Sequence, residues 1–398
     1  MSSDTLKNVV VVGAATAGIK VAQDLATSLP SSHRVVLIEA NLVAYWPIGA
    51  LRASVEPGFE DKIVHELSST TVFGTSQTRH VVLVSTKVID LAPHHITVNR
   101  DVSSSLPGIE LLEDGKSKMT VDKVVLAVGS DYGFPSRIDP KAQTREAVLE
   151  QFRTMQKDIE SAQEILVIGG GPTGVEFVGE VLEQHPNKVI TLLTRGSGLV
   201  TNGKDSFKGV SDKLLSQLRA LGVRIILNDS LSLDGLSTGS LGETKTFKTE
   251  KGETISADFL LLGYGGKPST DWIKSIDPSI VDPQTGLIKV NNTFSVTAPR
   301  WESYFAVGDA ANTPGLKTSF MAGQHAPLVA HNVVAAVKNE KTDKLKRAGG
   351  PPMNVILVPL GKSRGASYMG FMSVGGWMTA MVKGKSLFLS QFEACFKG

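Results

Sequence analysis

Twice in this chain an unbroken apolar run ends in glycine and gives way to helical periodicity. Val9–Val12 are β-branched and apolar at every position, the pattern of a central parallel strand covered on both faces. Gly13 closes that run, and Ile19, Val21, Ala22 and Leu25 then carry an apolar stripe at helical spacing. "RVVLIEA" (34–40) reads as a second strand, so the segment forms a βαβ unit of roughly 30 residues, the size a dinucleotide-binding fold requires. The same pattern returns at 164–195, as strand "EILVIGG", helix "GVEFVGEVLEQ" and strand "KVITLLTR".

Between the two units, "VVLVSTKVIDLAPHHITV" (81–98) alternates as two antiparallel strands would. "LPGIELLEDGKSKMTVDKVVLAVGS" (106–130) predicts a polar hairpin and then a buried strand, and "SADFLLLGYGGKPST" (256–270) repeats that strand-then-glycine ending. "LIKVNNTFSVTAPRWESYFAVGDAAN" (287–312) brings in a further strand that ends in Gly-Asp. The spacing predicts a long helix over 317–337, kinked at Pro327. "NEKTDKLKRAGGPP" (339–352) is charged and then Gly/Pro-rich, as a linker is. The expected fold class is α/β, with two Rossmann-like dinucleotide-binding domains and a small C-terminal domain. The divisions are 1–135 and 269–345 for the first domain, 136–268 for the second and 346–398 for the third.

Composition narrows the function classes. With 41% apolar and 20% charged residues in 398, the chain reads as globular and large enough for two or three cores. A formal charge of +2 without a polybasic run argues against a nucleic-acid partner. The single cysteine, Cys395, excludes an intramolecular disulfide, a CxxC redox pair and a zinc cluster, and no metal is expected. "MSSDTLKNVVVVG" enters the first strand at once, leaving no room for a signal or transit peptide, and Ser2 excludes N-myristoylation. "FMSVGGWMTAMV" (371–382) falls short of the roughly 20 residues needed to span a bilayer. A cytoplasmic protein, not integral to a membrane, is expected.

The glycine positions carry the chemistry. A dinucleotide turn needs one glycine for the tight bend, one where the backbone meets the pyrophosphate and one for helix–strand packing. The first loop offers Gly13, Ala15 and Gly18, with Ala14 between; alanine replaces the middle glycine. Glu39 ends the second strand about 20 residues on, where a carboxylate accepts from both hydroxyls of an adenosine ribose. Asp309, after a strand and a glycine, can bind a ribityl hydroxyl or serve as an N-cap. Val88 and Gly129 at the end of "VVLAVG" join the residues assigned to this first cofactor. The second loop satisfies the full pattern with Gly169, Gly171 and Gly174, and Gly263 closes the strand beyond. No acid ends its following strand; Arg195 stands there, so a 2′-phosphate is acceptable and NADPH as well as NADH is admitted. Two loops imply a fixed flavin, FAD, in the first site and an exchangeable nicotinamide in the second. Lys317, after the Gly-Asp motif, is either a solvated cation or one that offsets charge on a reduced flavin.

The order of these motifs resembles the two-dinucleotide flavoproteins of glutathione-reductase fold. "GALRASVEPGFEDK" (49–62), "GGGPTGVEFVGE" and "KTSFMAGQHAP" (317–327) further resemble their apoptosis-inducing-factor-like branch, related to type II NADH dehydrogenases. The resemblance implies an FAD enzyme that oxidises NAD(P)H and reduces quinones. It sets Arg52 near the flavin, to hold its pyrophosphate or offset its charge, with a surface salt bridge as the alternative. It sets Glu176 at the nicotinamide–flavin junction as a catalytic group that orients the nicotinamide or relays a proton, and it matches Lys383 to a lysine of related tails. Lys317 completes the catalytic set. Without a cysteine pair, electrons must leave the reduced flavin directly, for a quinone, oxygen, a ferredoxin or a dye.

Three partners stay open: a ubiquinone-like quinone at a membrane surface, a small ferredoxin or rubredoxin, or an interaction role like that of apoptosis-inducing factors. The tail bears Met369, Phe371, Met372, Trp377, Met378 and Met381, then Lys383 and Lys385, then Leu387, Phe388, Leu389 and Phe392. Apolar side chains flanked by lysines suit an interfacial segment, peripheral on a mitochondrial or lipid-droplet membrane. The alternative is a small domain packed on the flavin domain, or a homodimer contact.

Overall fold

The two uniformly apolar runs become the central strands of two five-stranded sheets, one parallel and one mixed. The computed structural model describes residues 6–139, 141–142, 144–201, 205–349 and 354–396. In the first sheet the strands lie in the order Tyr304–Ala306, Lys123–Leu126, Lys7–Val12, His33–Ile38 and Val81–Leu83, all parallel. Val9, Val10, Val11, Val35, Val36 and Leu37 have no exposed surface, because helices cover one face and a four-stranded antiparallel sheet the other. Helix Thr16–Ser28 packs against helix Ser319–Val337, so a segment some 300 residues downstream closes the first unit.

The second sheet runs Arg224–Leu227, Val189–Thr194, Glu164–Ile168, Thr254–Leu262 and Gly239–Lys248. The first four strands are parallel and the last is antiparallel. A three-stranded antiparallel sheet of Val355–Leu360, Arg364–Met369 and Ser373–Val374 lies on helix Pro172–Gln184. Gly179 permits that approach: a Cβ there would fall 2.4 Å from the Leu360 Cα.

Four local expectations are corrected. The stretch 81–98 holds three strands: Val81–Leu83 pairs in parallel with His33–Ile38, and only Val88–Ala92 and His95–Val98 form the antiparallel pair. Strand Gly239–Lys248 was not anticipated, because it is a mostly exposed edge with no buried face to impose alternation. The long helix begins at Ser319 and runs unbroken through Pro327, held on both sides of the proline by buried Ala326, Val329 and Val333. Part of the supposed linker is tied down, since Asn332 brackets Lys346 with bonds of 2.7 and 2.8 Å. Residues 350–352 of that stretch, and Ser2, lie outside the described residues. Among the described residues, no helix is long and apolar enough to cross a membrane.

Candidate active site

Both glycine turns are built by contacts that a side chain would destroy. Gly13 sits at φ +101°, and a Cβ on it would lie 2.5 Å from the Ala127 carbonyl oxygen. A Cβ on Gly18 would lie 1.8 Å from the carbonyl oxygen of Gly13, so this residue sets how closely the helix returns to the strand. Ala15, the first helix's N-cap, offers no side-chain acceptor to the helix N–H groups, whereas Thr144 and Thr318 cap their helices. Uncapped N–H groups at the positive end of a helix are a ready anion site. Glu39 reaches across this turn: its Oε2 accepts from Ala14 N at 2.6 Å, and Oε1 accepts from the Asn41 backbone and side chain at 3.0 and 2.8 Å.

The Gly-Asp turn packs beside the first helix. At φ +79°, Gly308 lets the turn rest on the first helix, where an added Cβ would be 3.7 Å from that of Ala17. Burial pushes the half-buried Asp309 carboxyl upward, against the pull of the Arg137 and Lys317 cations. Burial likewise lowers the Lys317 ammonium, with Asp309 opposing. Lys317 lies before the helix, not in it, and donates to the carbonyls of Ala311 and Thr313 at 2.6 and 2.9 Å and to the Thr313 hydroxyl at 3.3 Å.

Sequence reasoning missed Arg137 and Tyr132, which belong to no motif. Arg137 Nε donates to the Ser130 carbonyl at 2.9 Å, and its guanidinium covers Gly129 so closely that a Cβ there would lie 2.7 Å from Nη2. Burial and the Asp309 charge raise the Tyr132 phenol. Val88 contributes its side chain to the apolar core beneath the Gly-Asp turn.

The second turn repeats the device. Gly169 sits at φ +127° with a Cβ position 2.5 Å from the Gly263 carbonyl oxygen, and a Cβ on Gly174 would lie 2.1 Å from that of Gly169. Gly263 in turn lies close to Gly174, its Cβ position 3.0 Å from the Gly174 Cα. Gly171 differs, because no atom lies within 4 Å of its Cβ position, and as N-cap it leaves the helix donors uncapped. The one glycine free of protein contact is thus the one the pattern aims at a pyrophosphate. Arg195 is exposed just past strand Val189–Thr194. If it faces a 2′-phosphate, Arg195→Glu should raise KM for NADPH by about tenfold or more and barely alter that for NADH. Equal changes in both steady-state constants would remove Arg195 from the site.

Helix Pro172–Gln184 carries buried charge onward from this turn. Glu176 is 7% exposed, and its Oε1 accepts from Lys383 Nζ at 2.7 Å; Lys383 also donates to the Leu357 carbonyl at 3.2 Å. Burial pushes the Glu176 carboxyl up, and Lys383 pulls it back. The structure thus brings together two residues 207 positions apart, beside the second turn.

Arg52 is 1% exposed, which excludes the surface salt bridge expected as its alternative role. Nε and Nη2 donate to both carboxylate oxygens of Glu180 at 2.9 Å, and Nη2 and Nη1 donate to the carbonyls of Gly384 and Lys385 at 2.6 and 3.2 Å.

A family model described as pyridine nucleotide-disulphide oxidoreductase matches residues 7–333. Apoptosis-inducing factor homolog B of Dictyostelium discoideum is 28% identical over 410 residues, covering 97% of this chain and 96% of that protein. Ferroptosis suppressor protein 1 of Taeniopygia guttata is 28% identical over 395 residues, with 98% and 96% covered. Among solved structures, the water-forming NADH oxidase of Lactobacillus brevis bound to NADH is similar with a TM-score of 0.61 at 20% identity, covering 82% of this chain and 69% of that one. The reduced CoADR-RHD of Bacillus anthracis gives a TM-score of 0.66 at 18% identity, where the match covers 89% of this chain and 60% of the other. These two likenesses concern the fold.

Proposed function

Because the chain belongs to the pyridine nucleotide-disulphide oxidoreductase family, whose members pair FAD with NAD(P)H, we propose that it passes electrons from NAD(P)H through FAD to a quinone. The observation that carries this reading is the pair of uncapped glycine turns with the buried Glu176–Lys383 pair beside the second. The disulphide half of the family's chemistry has no counterpart here, since Cys395 is the chain's one cysteine.

The first turn fits FAD: Gly13 and Gly18 let the uncapped helix close tightly on its strand, Glu39 offers a carboxylate to a ribose, and the Gly-Asp turn that bears Asp309 rests on the same helix. When bound, FAD supplies the centre that takes two electrons from the nicotinamide and releases them to the acceptor. The second turn holds the nicotinamide dinucleotide by its pyrophosphate, through N–H groups behind Gly171. Glu176 orients the nicotinamide carboxamide or holds a proton at its carboxyl, which burial keeps protonated to higher pH than usual. Lys383 and Lys317 supply positive charge where electrons collect. Gly129, Arg137 and Val88 line or support the first cradle.

A lipid surface is the proposed meeting place with a long-chain quinone. Phe371, Trp377 and Met381 are 79%, 71% and 62% exposed, beside exposed Met372, Val382 and Lys385. The rest of the tail is packed: Leu387 and Phe392 are buried, Phe392 stacks on Trp46 at 5.2 Å, and Trp46 Nε1 donates to the Leu387 carbonyl at 2.8 Å. The tail is therefore part core and part exposed face, and cutting at residue 377 would strip Phe392 from Trp46.

Purified protein should be yellow, bleach under anaerobic NADH or NADPH, and regain its colour with a short-chain quinone. Regain of colour with a ferredoxin and none with quinone would overturn the acceptor. Trp377→Glu combined with Met381→Glu should abolish binding to phosphatidylcholine/phosphatidylserine vesicles and long-chain quinone reduction, with short-chain quinone reduction kept. Undiminished vesicle binding would sink the membrane role.

A further inference from the structure

Helix Pro172–Gln184 presents three polar side chains at successive four-residue intervals on one face: Glu176, Glu180 and Gln184. Each is met by a residue from another part of the chain. Glu176 meets Lys383, Glu180 meets Arg52, and Gln184 donates to Glu56 at 3.3 Å while Lys362 pairs with Glu56 at 2.8 Å. The middle rung joins all three units of the protein. Arg52 comes from the short helix Ala50–Ala53 of the first unit, Glu180 from the second, and the Gly384 and Lys385 carbonyls from the C-terminal turn.

The register of that turn sets where Lys383 stands, because Gly384 follows it directly. A planar guanidinium serves here as a jig: one edge is taken by both oxygens of Glu180, and the remaining N–H bonds hold two successive carbonyls. Lysine brings the same charge but no fork, so it can neutralise Glu180 without fixing the turn. Paired burial of charge by itself adds little stability, which argues for a positional role.

We propose that Arg52 is a positioning residue, which clamps Glu180 and the 384–385 carbonyls so that Lys383 is held against Glu176. The proposal rests on the reading that the Glu176–Lys383 pair takes part in the redox reaction. The charged groups around Glu176 are Lys383, Glu180 and Arg52. With the clamp loosened, Lys383 moves off while Glu180 and a neighbouring cation remain, so the Glu176 carboxyl rises further.

The test compares Arg52→Lys, Glu180→Gln, Lys383→Met and the double variant Arg52→Lys/Lys383→Met, all as FAD-loaded protein. Arg52→Lys should keep its flavin and its KM for NAD(P)H, lose up to about 10²-fold in kcat through misplacement, and shift the limb of the pH–rate profile set by Glu176 to higher pH. Adding Lys383→Met should cost nothing more, since both changes remove the same contact. Hydrogen exchange at Lys385 and Leu387, whose amides bond to Ala380 and Lys383 at 2.9 and 2.8 Å, should quicken in Arg52→Lys and in Glu180→Gln. That exchange needs neither quinone nor nicotinamide, so a wild-type protein inactive with quinones would refute the reaction while exchange still decides the clamp. Unchanged exchange, additive losses in the double variant, or a lowered Tm with an unmoved pH profile would each overturn the proposal. So would failure of both Arg52→Lys and Glu180→Gln to fold, because a clamp between formed units should free the tail rather than melt the domains.

Discussion

Replacing Gly18 by valine is expected to give colourless protein. The added Cβ would lie 1.8 Å from the Gly13 carbonyl oxygen and 2.9 Å from its carbon, and both obstacles are backbone that cannot swing aside. Relief requires the helix Thr16–Ser28 to back away from its strand, carrying off the N–H groups proposed to hold the pyrophosphate. Ordinary overpacking costs about 1–3 kcal/mol, and at about 1.4 kcal/mol per decade even the upper figure weakens FAD by roughly 10²-fold. The flavin absorbance of gel-filtered protein, per mole of chain, measures it. Stoichiometric flavin in the variant would contradict the assignment of this turn.

The second large effect is expected from Glu176→Gln. Flavin should stay at wild-type occupancy, since the residue belongs to the second turn's helix, while turnover with saturating NAD(P)H and quinone falls by about 10²–10⁴-fold. Glutamine keeps the shape and a hydrogen-bonding oxygen for Lys383, so a loss reports the carboxyl's proton or charge rather than packing. A variant with wild-type turnover would leave Glu176 a structural acid. Stability responds in the opposite sense. Burial raises the folded-state pKa of Glu176 above its unfolded value, about 4.3. The folded protein thus holds this proton more tightly than the unfolded chain does, and the associated stability is present below the unfolded pKa and lost as pH rises through the folded one. Glutamine does not titrate, so thermal unfolding should show the wild type losing ground to Glu176→Gln as pH climbs above about 4.3. A pH-independent difference in Tm would mean that the carboxyl ionises as it does in water.

Much of the fold was legible because local chemistry dictates it. The apolar runs at 9–12 and 165–168 can exist only as strands covered on both faces, and each closes on a glycine with positive φ that few other residues tolerate. Short or one-sided elements were illegible for the converse reason. Val81–Leu83 gains its identity from pairing with His33–Ile38, and Gly239–Lys248 from pairing with Thr254–Leu262, not from any pattern of its own. The tail shows the same limit, since Trp377 and Phe392 look alike in sequence, yet one stands 71% exposed and the other is buried against Trp46.

By itself, then, the sequence determined two dinucleotide turns, the acid after the first, the arginine after the second and an electron path without a dithiol. Each is written in spacings of a few to some twenty residues, set by backbone conformation and side-chain period. The tertiary structure alone decided that Glu176 meets Lys383 across 207 positions, that Arg52 is spent on Glu180 across 128, and that Arg137 stands over Gly129 within the charge field of Asp309. Such partners are chosen where segments far apart in the chain converge, and a buried charge has only the neighbours that convergence supplies to satisfy it.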